Sequence, residues 1–225
     1  MLTPFHIIVV AGGSGKRMNS AIPKQFLKIN ETPVIAVTIN RLHKILPNSR
    51  ITIVIAERDL PHWKECHKFI PFHDSIKIAF GGPERFHSVK SGLAFVHADE
   101  VVAIHDAVRP LFTANVIHQG FMVAEKSGSA IPVIPLSESI REINGALSKA
   151  ANREQFRLCQ TPQFFQATLL LDAYRQSYIQ SFTDDASVVE AAGYPIRLIE
   201  GNPENIKITT PADLKYAEAL LPHIN

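Results

Sequence analysis

The chain has 225 residues and a formal net charge of +2, from 23 basic and 21 acidic residues. That length suits one large α/β domain with a sizeable core, so we expect a single domain over residues 1–225. The near balance of charge argues against a nucleic-acid-binding surface, and no apolar run reaches the ~20 residues of a membrane span. We therefore expect a soluble protein that acts on small molecules, without nucleic-acid or membrane partners.

The two cysteines favour a reducing compartment. Cys66 and Cys159 lie far apart in the sequence and form no C-x-x-C pair. The N-terminal residues show no signal-peptide pattern. We expect both to be buried thiols in a cytoplasmic protein.

Predicted strands and helices alternate along the chain. Continuous apolar runs predict buried strands at residues 5–10, 51–56, 76–80, 101–104, 130–134 and 196–199. Helical spacing predicts helices after Thr32-Pro33, at 60–70, after residue 84, at 114–126, at 167–178, up to Ala192 and after Thr210-Pro211. The proline inside 130–134 indicates a sheet edge or a bulge. The alternation predicts one Rossmann-like α/β domain with three layers and a mostly parallel central sheet.

Residues 136–157 interrupt this alternation. Ile140, Ile143 and Leu147 flank the dipeptide Asn144-Gly145, which is a strong hairpin signal. A two-stranded hairpin on its own is marginal in water, so we expect a protruding arm that packs against a second subunit of a homodimer.

A strand runs directly into a glycine-rich loop in VVAGGSGKRMNSAIPKQ, the first glycine loop (residues 9–25). Gly12, Gly13 and Gly15 allow the backbone to approach a ligand closely and to point N–H groups at phosphate oxygens. The loop also carries three cations: Lys16, Arg17 and Lys24. This combination predicts a polyphosphate site.

Two better-known phosphate loops do not fit this stretch. The dinucleotide fingerprint needs a third glycine where this chain has Met18, which disfavours a nicotinamide-dependent reductase. The P-loop needs Ser or Thr after Gly15-Lys16, where Arg17 stands.

Two further polar segments follow predicted strands. The second glycine loop, GGPERFHSV (residues 81–89), opens a helix, and HDAVRP (residues 105–110) brings Asp106 and Arg109. Ligands of open α/β sheets lie outside the carboxyl ends of the strands. We therefore expect both glycine loops and the Asp106 segment to face one ligand.

Five segments together resemble one known family: AGGSGKRM with PKQ, GGPERFHSV, HDAVRP, TPQFF, and TDDAS with NIKITTP. They closely resemble the 2-C-methyl-D-erythritol 4-phosphate cytidylyltransferases of the non-mevalonate isoprenoid pathway, over essentially the whole chain. The resemblance implies transfer of a cytidylyl group from CTP to methylerythritol 4-phosphate, with release of pyrophosphate. The attacking phosphate oxygen is already a nucleophile, so catalysis requires positioning and charge neutralisation, with Mg²⁺ as the expected cofactor.

The resemblance also implies roles for single residues at the nucleotide. Arg17 and Lys24 would hold the triphosphate and stabilise charge on the α-phosphate. For Lys16, a role in this site and a place on the surface are equal alternatives. The residues that would surround the nucleotide are Ala11, Gly12, Gly13, Gly82 and Ser88. Pro83 departs from the polar residue of many relatives, so a ribose or base contact there is in doubt.

For the acceptor, the resemblance implies that Asp106 binds the metal and reaches substrate hydroxyl groups. Arg109 would contact the methylerythritol part, and Lys207 with Thr161 would bind its phosphate. Residues in or beside the arm would reach the acceptor of the partner subunit: Ser139 and Arg153.

Several readings stay open at this stage. Thr183 is a predicted substrate contact, whereas Asp184 and Asp185 could serve the site or cap a helix equally well. His105 is expected to support the core rather than act as a base, and no zinc-ligand spacing occurs. The alternatives for function are a ribitol 5-phosphate cytidylyltransferase and a nucleotide-binding regulatory protein without catalysis.

Overall fold

The computed structural model describes residues 3–12 and 22–224, so Gly13, Lys16 and Arg17 of the first glycine loop lie outside the described residues. The strands are β1 (Phe5–Val10), β2 (Lys28–Ile29), β3 (Thr32–Pro33), β4 (Arg50–Ile55), β5 (Lys77–Phe80), β6 (Val101–Asp106), β7 (Ser129–Pro135), β8 (Ile140–Asn144), β9 (Leu147–Ala151), β10 (Arg157–Cys159), β11 (Gln163–Gln166) and β12 (Leu198–Glu200). The helices are α1 (Val34–Ile45), α2 (Leu60–Cys66), α3 (Arg85–Gly92), α4 (Ala114–Ser127), α5 (Ala167–Ala173), α6 (Asp185–Ala191) and α7 (Pro211–Leu220). Short 3-10 turns occur at Lys24–Phe26, Glu57–Asp59, His67–Phe69, His73–Ser75, Leu93–Phe95, Arg153–Gln155 and Leu221–His223.

One mixed sheet forms the centre of the protein, in the order β10-β7-β11-β6-β1-β4-β5, with β12 also paired to β7. Strands β6, β1, β4 and β5 run parallel, whereas β11 is antiparallel to both β6 and β7. Alternate residues of β1 pack in different layers: Ile7 and Val9 belong to one apolar cluster and Ile8 to the other. Burial on both faces explains the continuous apolar runs, and the predicted three-layer α/β fold is confirmed.

The parallel strands bring their carboxyl ends to one edge of the sheet. Just beyond β1, the Ala11 N–H donates to the carbonyl of Val54 at 2.7 Å, and the Gly81 N–H beyond β5 donates to Ile55 at 2.8 Å. The Ala107 N–H beyond β6 donates to Val10 at 3.0 Å. These bonds hold the starts of both glycine loops and the Asp106 segment side by side.

The proline in β7 does not mark a sheet edge, so that alternative is wrong. Pro132 lies opposite Ile199 of β12, and its carbonyl accepts from the Gln160 N–H at 2.8 Å on the other side. β11 pairs with the start of β7 and β10 with its end. The missing N–H is tolerated because Pro132 faces the interruption between those two strands.

The two predicted threonine caps have different outcomes. The prediction for Thr32 is wrong, because Thr32 pairs with Ile29 in the short β2–β3 ladder and no side chain caps α1. The prediction for Thr210 is confirmed: its side chain accepts from the Asp213 N–H at the start of α7, and Asp213 returns the bond in a capping box.

The arm hairpin forms from β8 and β9, with Gly145 at φ 59° in the turn and Asn144 paired to Leu147. Its apolar residues do not share one face. Leu147 lies on the face of Ile140, whereas Ile143 pairs with Ser148 on the opposite face. Ile143 is 70% exposed and Leu147 76%, so the tip presents an aliphatic side chain on each face.

Other expectations need smaller corrections. α5 ends at Ala173 rather than at 178, and Cys159 is exposed although Cys66 is buried as expected. Both cysteines are free thiols. Within residues 3–12 and 22–224, no helix is both long and apolar enough to cross a membrane.

Candidate active site

A cavity of about 690 Å³ lies at the carboxyl ends of the parallel strands. It is lined by described residues at the two ends of the first glycine loop, by the second glycine loop, by the turn after β4, and by the segment around Lys207. The predicted site residues that line it are Ala11, Gly12, Lys24, Gly82, Ser88, Asp106 and Lys207. The predicted residues that do not line it are Arg109, Ser139, Arg153, Thr161 and Thr183.

The Ser88 hydroxyl organises the second glycine loop and faces Gly12 of the first. The Gly82 N–H donates to Ser88 Oγ at 3.2 Å, and that hydroxyl donates to the Glu84 carbonyl at 3.2 Å. A Cβ at Gly81 would stand 2.9 Å from Ser88 Oγ, and one at Gly12 would stand 3.3 Å from it. A Cβ at Gly81 would therefore require Ser88 to shift, and one at Gly12 would press on the same hydroxyl.

Lys24 and Gln25 attach the end of the first glycine loop to its surroundings. The Gln25 amide donates to the Ala11 carbonyl at 2.7 Å and to Asp59 Oδ2 at 3.3 Å. Lys24 Nζ donates to the Ile208 carbonyl at 3.2 Å. These bonds tie Lys24 and Gln25 both to the end of β1 and to the segment that carries Lys207.

Asp106 lies at the centre of a group of cations. Its Oδ2 is 2.9 Å from Lys207 Nζ and 3.4 Å from Arg109 Nε, while its Oδ1 is 3.7 Å from Arg85 Nε. Burial would raise the pKa of Asp106, but the charges of Lys207, Arg85 and Arg109 outweigh burial and hold that pKa well below its usual range. The carboxylate is therefore ionised at neutral pH.

His105 and Thr161 form a support behind Asp106. Thr161 Oγ1 accepts from the Asp106 N–H at 3.0 Å and lies 3.1 Å from His105 Nδ1. His105 Nε2 lies 3.0 Å from the Arg109 carbonyl, so Nε2 carries the proton and Nδ1 accepts from Thr161. Burial lowers the pKa of His105 to about 3, which keeps the ring neutral. The ring positions its neighbours, as the sequence led us to expect.

Arg109 is held beside Asp106 and outside the cavity lining. Its Nη1 donates to the Asn205 carbonyl at 2.7 Å, and its side chain is 13% exposed. Asn205 in turn donates from its side-chain amide to the Thr161 carbonyl at 2.9 Å. The segment that carries Lys207 is thereby anchored to the ends of β6 and β10.

The TDDAS segment divides its two carboxylates between capping and ion pairing. Asp184 caps α6 by accepting from the Ser187 N–H at 2.9 Å. Asp185 is fully buried and receives both terminal nitrogens of Arg85, at 2.9 and 2.7 Å. Thr183 is exposed and donates its backbone N–H to Ser187 Oγ.

Arg85 lines the cavity and was missed at the level of sequence. The motif GGPERFHSV predicts a glycine loop, and the signal for Arg85 itself is a guanidinium at the first position of the helix behind that loop. Arg58 and Glu57, from the turn after β4, also line the cavity without having been predicted.

Ser139 and Arg153 lie with the arm rather than in the cavity. Arg153 Nη1 donates to the Ser137 carbonyl at 2.5 Å, and its side chain is 46% exposed. Ser139 is exposed as well. A single chain thus leaves both residues outside the cavity lining.

The cavity could receive a magnesium ion carried by a nucleotide. Among the described residues, no group of three or more His, Cys, Asp or Glu side chains could hold a metal ion by itself. Mg²⁺ is commonly bound by one or two carboxylates together with substrate phosphates. Asp106 fits this role. Lys207 and Arg109 pair with its Oδ2, whereas Arg85 approaches its Oδ1 only to 3.7 Å, so Oδ1 is the oxygen more open to an ion.

Known proteins resemble the chain over almost its full length. The family model described as 2-C-methyl-D-erythritol 4-phosphate cytidylyltransferase matches residues 5–223. Relatives of that name from Bacteroides thetaiotaomicron and Bacteroides fragilis are 45% and 47% identical over 215 and 214 residues. These alignments cover 96% and 95% of this chain, and 98% of each relative.

Solved structures share the fold. The 2-C-methyl-D-erythritol 4-phosphate cytidylyltransferase from Thermus thermophilus superposes with a TM-score of 0.79 at 29% identity, covering 97% of this chain and 99% of that one. The 4-diphosphocytidyl-2C-methyl-D-erythritol synthase from Anaerococcus prevotii gives a TM-score of 0.83 at 23% identity, covering 98% and 99%. The chain belongs to the 2-C-methyl-D-erythritol 4-phosphate cytidylyltransferase family.

Proposed function

We propose that the protein transfers a cytidylyl group from CTP to 2-C-methyl-D-erythritol 4-phosphate. The products are 4-diphosphocytidyl-2-C-methyl-D-erythritol and pyrophosphate, and the step belongs to isoprenoid precursor biosynthesis. Family membership supports this activity. The observation that carries it is the ion pair of Lys207 and Asp106 in a cavity lined by two glycine loops.

The reaction needs no protein nucleophile. A phosphate oxygen of the acceptor forms a bond to the α-phosphorus of CTP, while the bond from that phosphorus to the bridging oxygen breaks and pyrophosphate leaves with the electron pair. Both reactants are polyanions, so their mutual repulsion must be offset. Lys24 and Lys207 line the cavity and supply positive charge, and Arg17 is predicted to add to it.

The acceptor is proposed to lie on the Lys207 side of the cavity. Lys207 would neutralise its phosphate and Asp106 would accept from its hydroxyl groups. Arg109 and Thr161 remain predicted acceptor contacts, and their present bonds also hold Asp106 and its backbone in place. Ala11, Gly12, Gly82 and Ser88 would enclose the cytidine from the other side, where Pro83 offers no N–H.

Mg²⁺ is the proposed cofactor, with Asp106 as its protein ligand. The ion would supply Lewis-acid neutralisation of the CTP phosphates. The carboxylate would hold its position for the ion because Lys207, Arg109 and Arg85 contact it from separate elements.

A homodimer in the cytoplasm is the proposed working form. The arm (residues 136–157) exposes Ile143 and Leu147 at its tip, which a second subunit would cover. Ser139 and Arg153 would then reach the acceptor bound by the partner. Two free cysteines fit a reducing compartment.

The test is a comparison of two acceptors. Purified protein is incubated with CTP and Mg²⁺ and with either 2-C-methyl-D-erythritol 4-phosphate or ribitol 5-phosphate, and pyrophosphate release is followed. We expect faster turnover of the methylerythritol substrate. Faster turnover of ribitol 5-phosphate would overturn the assignment, and a Lys24→Met variant prepared in parallel measures any contaminating activity.

A further inference from the structure

Arg85 and Asp185 form a two-point ion pair between α3 and α6. Nη1 and Nη2 of Arg85 donate to the two carboxylate oxygens of Asp185 at 2.9 and 2.7 Å. The Tyr174 hydroxyl donates to the same carboxylate at 2.6 Å, and the Asp185 N–H donates to Gln163 Oε1 at 3.1 Å. Bidentate pairing fixes the plane of a guanidinium as well as its position.

The pair leaves one edge of the guanidinium for the active site. With both terminal nitrogens bound to Asp185, Arg85 Nε lies 3.7 Å from Oδ1 of Asp106. Lys207 and Arg109 contact the other oxygen, Oδ2. The Arg85 side chain is 27% exposed on the cavity, whereas Asp185 is fully buried. Asp185 is therefore linked to the site through Arg85.

Neutralisation alone does not explain this arrangement. Asp185 already compensates the charge of Arg85, so the pair adds little net charge to a cavity that carries Lys24 and Lys207. What the pair adds is a fixed position for the guanidinium, whose charge attracts Oδ1 of Asp106 and so favours one orientation of that carboxylate. Small misplacements of a group at a reacting centre can cost a hundredfold in rate.

We propose that Arg85, locked by Asp185, is a positioning residue for cytidylyl transfer. It keeps Oδ1 of Asp106 on the α3 side and Oδ2 on the side of Lys207 and Arg109. The inference rests on the proposed function, since it assigns Asp106 a role in that reaction.

The decisive variant exchanges both members of the pair, Arg85→Met with Asp185→Asn. Removing Arg85 alone leaves a buried carboxylate without its cation and destabilises the protein, whereas the double exchange removes both charges and keeps an acceptor for Tyr174. We expect a thermal midpoint near that of the wild type but a kcat that is about 10- to 100-fold lower. The KM for CTP should change much less than kcat.

Arg85→Lys is the conservative variant. Lysine keeps the charge, but its single nitrogen cannot pair with both Asp185 oxygens and also present a second nitrogen to Asp106. We expect kcat to lie between those of the wild type and the double variant. Should the double variant fail to fold, a folded Arg85→Lys protein with wild-type kcat would by itself overturn the proposal.

A matched control exists at the opposite end of the sheet. Arg50 pairs there with Glu100, another buried carboxylate, so Arg50→Met with Glu100→Gln makes the same chemical exchange away from the cavity. We expect this control to retain wild-type kcat. A folded Arg85 and Asp185 double variant that matches the control in kcat would overturn the proposal. If the wild type itself lacked cytidylyl transfer, the proposed function would fail instead.

Discussion

Lys207 and Asp106 form an ion pair across the cavity edge, with 2.9 Å between Nζ and Oδ2, although they come from distant segments of the chain. The two partners differ in accessibility: the Lys207 side chain is 40% exposed and that of Asp106 is 9% exposed. The lysine can therefore turn toward an arriving phosphate while the carboxylate stays in place.

This relationship predicts a large effect of Lys207→Met. The substitution removes the positive charge that would neutralise the acceptor phosphate, so we expect kcat/KM for the acceptor to fall by about 10²–10³. Steady-state kinetics with varied acceptor at saturating CTP measures it. Lys215→Met is the control, since Lys215 is an exposed residue of α7 that does not line the cavity. Equal kinetics for the two variants would contradict the role of Lys207.

Arg17→Ala tests the predicted role of the first glycine loop. Arg17 lies outside the described residues, so the test is kinetic. If Arg17 acts on charge that develops in the transition state, turnover should fall far more than CTP affinity. Single-turnover rates and calorimetric CTP titrations give the two quantities. Arg175→Ala, which removes a guanidinium that is 83% exposed, should alter neither. Equal losses in rate and affinity would instead indicate ground-state binding of CTP by Arg17.

The parts of the site that could be predicted from sequence follow from strand geometry. A buried parallel strand ends where its apolar run ends, so the polar residues after β1, β5 and β6 were expected at one edge of the sheet. Asp106 and the glycines were found in this way. Lys207 was added by resemblance to a family, since its own segment carries no regular structure that would place it.

Other features depend on pairings that no local pattern encodes. The two-point ion pair of Arg85 and Asp185 joins two helices, and the packing of those helices depends on the whole domain. Thr161 stays a predicted phosphate contact, but the contacts of its hydroxyl with the Asp106 N–H and His105 could not be read from its own segment. Pro132 is tolerated inside the sheet because the neighbouring strand is interrupted there. That interruption arises from tertiary pairing of β10 and β11 with β7 and has no local sequence signal.

Acid should destabilise the protein through buried His105. Its pKa is about 3 in the folded chain, against an ordinary value of 6.5, because burial disfavours the charged ring. Between these values the unfolded chain binds a proton that the folded chain does not, so the free energy of unfolding decreases as pH falls from about 6.5. Burial also lowers the pKa of His6, which adds an effect of the same sign.

Urea unfolding at pH 7, 6 and 5 measures this dependence in a range where most carboxylates are ionised in both states. Between pH 6.5 and 5, we expect the free energy of unfolding to decrease by about 1–2 kcal/mol less in His105→Gln than in the wild type. One proton contributes about 1.4 kcal/mol per pH unit. His118→Gln, at an exposed position of α4, is the control and should keep the wild-type dependence. An unchanged dependence in His105→Gln would show that this ring does not cause it.

The arm predicts that two inactive variants can complement each other. If Arg153 serves the acceptor of the partner subunit, a mixed dimer of Arg153→Ala and Lys207→Met subunits contains one intact site. In that site Lys207 comes from the Arg153→Ala subunit and Arg153 comes from the Lys207→Met subunit. Equal amounts of the two variants, after subunit exchange, should recover roughly a quarter of wild-type activity, because half of the dimers are mixed and one of their two sites works.

The same mixture separates a cross-subunit role from one within a single chain. If Arg153 served the cavity of its own chain, both sites of the mixed dimer would lack an essential cation and activity would stay at the level of the separate variants. Adding Ile143→Asp and Leu147→Asp to both subunits provides the control, because charges at the exposed arm tip oppose its burial against a partner. Complementation should then disappear together with the dimer in sedimentation velocity. Recovery of activity by a monomeric mixture would contradict an active site shared between subunits.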